Sequence, residues 1–115
     1  MEDGFQTRVV PDRSRFYVGR ENDPWTLDAG DLGRRTAGRV VDQATQLADA
    51  MRLAYCQPYV GAFFNFFLAD ESSLSGWQSG LLWSDWQPKP SYAAFARTVA
   101  DVNRGWVDCA AYGGG

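Results

Sequence analysis

The sequence predicts a parallel α/β chain of two β/α units, and three observations predict it. A β-compatible stretch near the start ends at Pro11, two later segments carry apolar residues at helical spacing, and a nearly unbroken apolar run, Val60 to Leu68, lies between them. Strand, long loop, helix, buried strand, loop, helix is the order of a parallel α/β protein.

From Gly4 to Val10, the residues Phe5, Thr7, Val9 and Val10 favour extended backbone, and Pro11, with no N–H to give a sheet, ends it. Pro11 to Thr36 is rich in Asp, Arg, Gly and Pro and has no stable period, so it reads as a long excursion with a helical turn near Ser14. Helical spacing begins around Thr36, where Val40, Ala44, Leu47, Ala48, Met51 and Tyr55 recur at three- and four-residue intervals. This predicts an amphipathic helix over about 38–55, with Pro58 as the stop.

Val60 to Leu68 has the length and aromatic content of a strand buried on both faces, expected to pair in parallel with the segment near Phe5. Asp70 to Gly76 is polar turn material, and Trp77 to Trp86 is irregular. Pro88 and Pro90 prepare a second helix over 90–104, whose apolar face carries Tyr92, Phe95, Ala96, Val99 and Val102. At 115 residues the chain is one domain at most, and two β/α units alone leave open sheet edges. Self-association through those edges is therefore an expectation.

Charge and composition narrow the function classes. Eleven basic and fourteen acidic side chains give a net charge of −3, and the basic ones are scattered, which excludes the positive stripe that nucleic acid demands. There is no histidine, so His-based acid/base work and Ser-His or Cys-His nucleophile pairs are excluded, and no metal or other cofactor is expected. The longest apolar run, Val60 to Ala69, carries Asn65 and is too short to span a bilayer as a helix. No secretory signal follows Met1, and localisation stays open. Catalysis falls to Asp, Glu, Tyr, Lys or Cys. Aromatic residues make up 15% of the chain, as core packing or as platforms on which a sugar ring can stack. Cys56 and Cys109 are too few for a disulfide framework and are not spaced for zinc. They are either two buried thiols or one bridge, whose 53-position loop would stabilise by about 4 kcal/mol.

Three local strings carry a more specific signal. They are Tyr55-Cys56-Gln57-Pro58-Tyr59-Val60-Gly61-Ala62-Phe63-Phe64-Asn65-Phe66, then Trp77-Gln78-Ser79-Gly80-Leu81-Leu82-Trp83 with Lys89-Pro90-Ser91-Tyr92, and Glu2-Asp3-Gly4-Phe5-Gln6-Thr7. Together they resemble the last two β/α units of retaining glycoside hydrolases of the large cellulase-like barrel clan, over nearly the whole chain. The resemblance implies the C-terminal part of a (β/α)8 TIM barrel, a partial domain spanning 1–115, since a complete barrel takes about 250 residues.

It also implies a β-linked glycan as substrate and Glu2 as the nucleophile, because the family carries Thr-Glu-x-Gly at the end of strand seven. Gln6 is then placed to orient that carboxylate. Trp77 is the leading candidate for sugar contact, followed by Trp25, Tyr17 and Glu21 in the long loop, with Asp70 and Glu71 as partners for sugar hydroxyls. Cys56 and Cys109 fall on the N-terminal face of such a barrel, with Cα atoms expected within about 7 Å.

Two departures matter. Met1 stands where the family has Thr, and no Asn-Glu dipeptide of the kind that carries the acid/base occurs anywhere. A retaining glycosidase needs both carboxylates, so this fragment alone is not expected to turn over glycosides. The alternatives are a non-catalytic carbohydrate-binding or structural module using Trp77 and Trp25, or a self-associating half-barrel.

Overall fold

Two helices form where the apolar period lies. A computed structural model of the chain describes residues 2–21, 26–30, 35–57, 64–65 and 67–112, with the backbone alone for 2, 3, 35, 64 and 112. The first helix, α1, spans Gln43–Tyr55 and is capped by Asp42, whose carboxylate accepts from Thr45 N at 2.7 Å. It starts later than the spacing predicts. The preceding residues instead form an antiparallel pair of two-residue strands, β2 (Arg35–Thr36) and β3 (Arg39–Val40), in register Thr36↔Arg39. Ala37 and Gly38 between them have φ of 51° and 78°, the signature of a two-residue type I′ turn, which no helix can continue through.

The second helix, α2, spans Pro90–Asn103 with Lys89 as N-cap and Pro90 at its first position. It ends in a Schellman motif, in which Gly105 N donates to Val102 O at 3.1 Å and Trp106 N to Asp101 O at 2.8 Å. The helices pack on each other, and Arg52 of α1 approaches Asp101 of α2 at 3.8 Å. Leu47 and Met51 form one core with Leu81, flanked by Phe5, Phe95 and Val99. A second core gathers Tyr17, Ala29 and Trp83, with Val9, Val10, Phe16 and Leu74 around it. Pro11–Phe16 supplies the helical turn expected near Ser14, as a 3-10 helix. No helix among the described residues is long and apolar enough to cross a membrane.

The partial barrel is not what forms. Two further strands, β1 (Glu2–Asp3) and β4 (Phe64–Asn65), do pair in parallel, Glu2↔Phe64 and Asp3↔Asn65, over two residues among the described ones. In a β/α barrel each helix lays its apolar face on a sheet. Here Leu47 and Met51 of α1 and Phe95 and Val99 of α2 pack with one another and with Leu81 and Phe5, and among the described residues no strand longer than two residues lies against either helix. The expected continuous strand is interrupted on its described side, where Leu68 is 55% exposed and Asn65 Nδ2 donates to Phe67 O at 2.8 Å and Ser79 O at 3.1 Å. Its other residues, 60–63 and 66, lie outside the described ones. Likewise the segment near Phe5 runs as single bridges, Thr7 pairing with Leu27, rather than as a strand.

Polar side chains join the segments around the start of α1. Gln43, buried at the start of α1, donates through Nε2 to Phe5 O (3.2 Å), Ser79 O (3.2 Å) and Gly80 O (3.1 Å) and accepts from Ser91 Oγ at 2.7 Å. One amide thereby joins four segments. Cys56 and Cys109 form a disulfide with Cα atoms 5.3 Å apart, as the expected proximity requires, tying the end of α1 to the 3-10 turn Cys109–Tyr112.

Candidate functional site

Charge and polarity concentrate in the interior between Thr7 and Lys89. The Lys89 side chain is fully buried, and its Nζ donates to Asp70 Oδ1 (2.7 Å), Thr7 Oγ1 (2.8 Å) and Gln78 O (3.1 Å), 4.9 Å from the centre of the Trp83 ring. Three donors meet three acceptors. Asp70 accepts in addition from Gly80 N at 2.9 Å and, on Oδ2, from the Tyr17 hydroxyl at 2.6 Å, which itself accepts from Ser84 N at 2.9 Å. Loss of water pushes the Asp70 carboxyl up, opposed by the Lys89 ammonium, and pushes Lys89 down to about 8, opposed by Asp70. The Tyr17 phenol is raised well above its ordinary range, first by burial and then by the Asp70 hydrogen bond and charge.

Beside this network two glutamines clasp. Gln6 Nε2 donates to Gln78 Oε1 at 2.6 Å while Gln78 N donates to Gln6 Oε1 at 2.8 Å, and Thr7 N donates to Gln78 O at 3.1 Å. Gln78 Nε2 turns back to Ser73 O (2.7 Å) and Glu71 O (3.2 Å), winding the 71–78 loop about its own amide. The loop closes at Gly80, where a Cβ would meet Ala69 C and Asp70 N at 2.6 Å. Its neighbour Trp77 is left 52% exposed next to the segment that follows β1.

The sequence-predicted site residues distribute unevenly. Glu2 sits in β1, described as backbone only and paired with Phe64, and Trp25 lies outside the described residues. Gln6 is 8% exposed and engages Gln78 and, at 3.4 Å, Glu21 Oε1. Glu21 and Glu71 are exposed, whereas Tyr17 and Asp70 are buried against each other. Asp70, with both oxygens occupied, presents nothing to a ligand. Arg8, one pleat beyond Gln6, reaches Asp28 at 3.1 Å and lines a groove of about 450 Å³ with Thr26, Thr36 and Arg39, within the size range of small-ligand sites.

Sequence reasoning passed over Thr7, Gln43, Gln78 and Lys89. Gln78 and Lys89 stand inside the quoted strings, and a lysine between Pro88 and Pro90 gives no sign of burial, because its partners lie 19 and 82 positions away. Among the described residues no three acidic or cysteine side chains gather as a metal site would require. No protein-family model, no curated protein and no solved structure matches this chain.

Proposed function

We propose that the chain contributes a nucleophile, Glu2, and a glycan-binding edge centred on Trp77 to a retaining β-glycosidase. The observation that carries this reading is the reciprocal Gln6–Gln78 clasp, which fixes the exposed Trp77 beside the segment running on from Glu2. The resemblance of Glu2-Asp3-Gly4 and of Trp77-Gln78-Ser79-Gly80 to the same enzyme clan supports it independently.

In such a reaction a Glu2 oxygen attacks the anomeric carbon, the C–O bond to the leaving group breaks, and a second carboxyl protonates the departing oxygen. Of these groups the chain offers the nucleophile, so its own measurable property is recognition of the glycan. An indole gives the apolar face of a pyranose a flat surface, and exposed Glu21 gives its hydroxyls an acceptor.

The test is an NMR titration of the chain with cellohexaose and xylohexaose. Shifts are expected at the Trp77 indole and at the Gln6 and Gln78 side-chain amides, and Trp77→Ala should weaken binding tenfold or more. Absence of any shift, or binding unaffected by Trp77→Ala, contradicts the reading.

A further inference from the structure

Beyond Leu82 the chain folds back on itself. Leu82 bridges Pro88 in antiparallel fashion, Trp83 N donates to Gln87 O at 2.8 Å, and Trp86 N donates to Trp83 O at 2.8 Å. Ser84, Asp85 and Trp86 thus make a three-residue hairpin loop, whose last position takes the left-handed conformation and is ordinarily glycine. Trp86 fills it with φ of 68°. A Cβ at positive φ crowds the backbone, so a bulky residue there is a true outlier.

Packing does not compensate. The Trp86 side chain is 63% exposed and belongs to neither core. The loop is held instead through its other residues, with Ser84 Oγ donating to Phe16 O at 2.6 Å, Ser84 N donating to Tyr17 Oη at 2.9 Å, and Asp85 paired with Arg13. Even that anchoring is incomplete, since Asp85 Oδ1 is buried and finds no donor. A strained turn, secured from behind, holds an indole out in water.

We propose that Trp86 is a second stacking platform for the glycan, taking the apolar face of a pyranose ring some distance along the chain from the ring on Trp77. This rests on the glycan reading above. Ala69 and Leu82 bridge in parallel, so the loop carrying Trp77 and the turn carrying Trp86 leave that bridge in the same direction. Two exposed indoles on loops that leave one bridge in the same direction suit a ligand of repeated flat rings, which a β-linked glycan is.

The test compares Trp86→Gly, Trp86→Phe and Trp77→Ala with the unaltered chain, by thermal melting and by titration with cellohexaose and xylohexaose. Trp86→Gly relieves the crowding, so it should raise the melting temperature while weakening binding tenfold or more. Trp86→Phe should keep affinity within about threefold and gain no stability. Affinity unchanged in Trp86→Gly overturns the platform, and if Trp77→Ala still weakens binding the glycan reading survives alone. A lowered melting temperature in Trp86→Gly makes the indole structural and also overturns it. Failure of the unaltered chain to bind either hexasaccharide overturns both.

Discussion

Lys89 illustrates how a single residue can be decisive and still invisible in the sequence. Its ammonium is matched by three acceptors, so removing it strands the buried Asp70 carboxylate. Lys89→Met is expected to cost about 3–5 kcal/mol in chemical denaturation, and the double variant with Asp70→Asn less than the sum of the single ones. Strict additivity would contradict the pairing. The same burial sets a pH response. Folding lowers the lysine from 10.5 to about 8, so between those values the unfolded chain holds more protons and this group's contribution to stability rises with pH. Above about 10 the raised Tyr17 phenol acts in the opposite sense, because the unfolded chain sheds that proton first. NMR of the Lys89 ε-methylene should show a midpoint near 8, and a midpoint near 10.5 would contradict the burial. Trp77, as a sugar contact, and Gln6, as the group orienting Glu2, were candidates through their places in the strings, whereas the pairing of Gln6 with Gln78 spans 72 positions and no local string displays it.

At the scale of elements, both helices were legible because a 3.6-residue apolar period is a local property of the sequence. The start of α1 was not, since Val40 continues the period while Ala37 and Gly38 turn the backbone the other way. The cap at Asp42 decides the boundary and gives a test. Asp42→Ala should cost about 1 kcal/mol of stability. Asp42→Ser keeps a capping oxygen and removes Oδ2, which is buried without a donor, so it should hold or gain stability. Equal losses in both variants would mean that the cap does not matter. The apolar run at Val60 to Leu68 misled for a related reason, because periodicity reports how apolar a segment is and not what will cover it. The parallel direction of β1 and β4 agrees with the expectation, and beside that pair Asn65 turns its amide to Ser79 O.

For the whole molecule, the α/β order suggested successive layers, and the chain instead closes its helices on each other and ties the end of α1 to the 3-10 turn beyond α2 with the Cys56–Cys109 bridge. That bridge closes a 53-position loop, so Cys56→Ser/Cys109→Ser is expected to lose about 4 kcal/mol of stability, read from denaturation midpoints with and without reductant. A variant as stable as the bridged chain would show that α1, α2 and the two cores suffice. At this scale the glycosidase reading is a proposal that rests on the strings around Glu2 and Trp77, and the Gln6–Gln78 contact, across 72 positions, is a tertiary event that no local string displays.

The most direct measurement on the central claim is covalent trapping of Glu2. A 2,4-dinitrophenyl 2-deoxy-2-fluoro-β-cellobioside carries a leaving group that departs without protonation, so attack needs the nucleophile and the binding edge but no general acid. Mass spectrometry of the treated chain should find one fluoroglycosyl unit, mapped by digestion to Glu2 and lost in Glu2→Gln. No adduct, or an adduct that persists in Glu2→Gln, would contradict the assignment of Glu2 as the nucleophile.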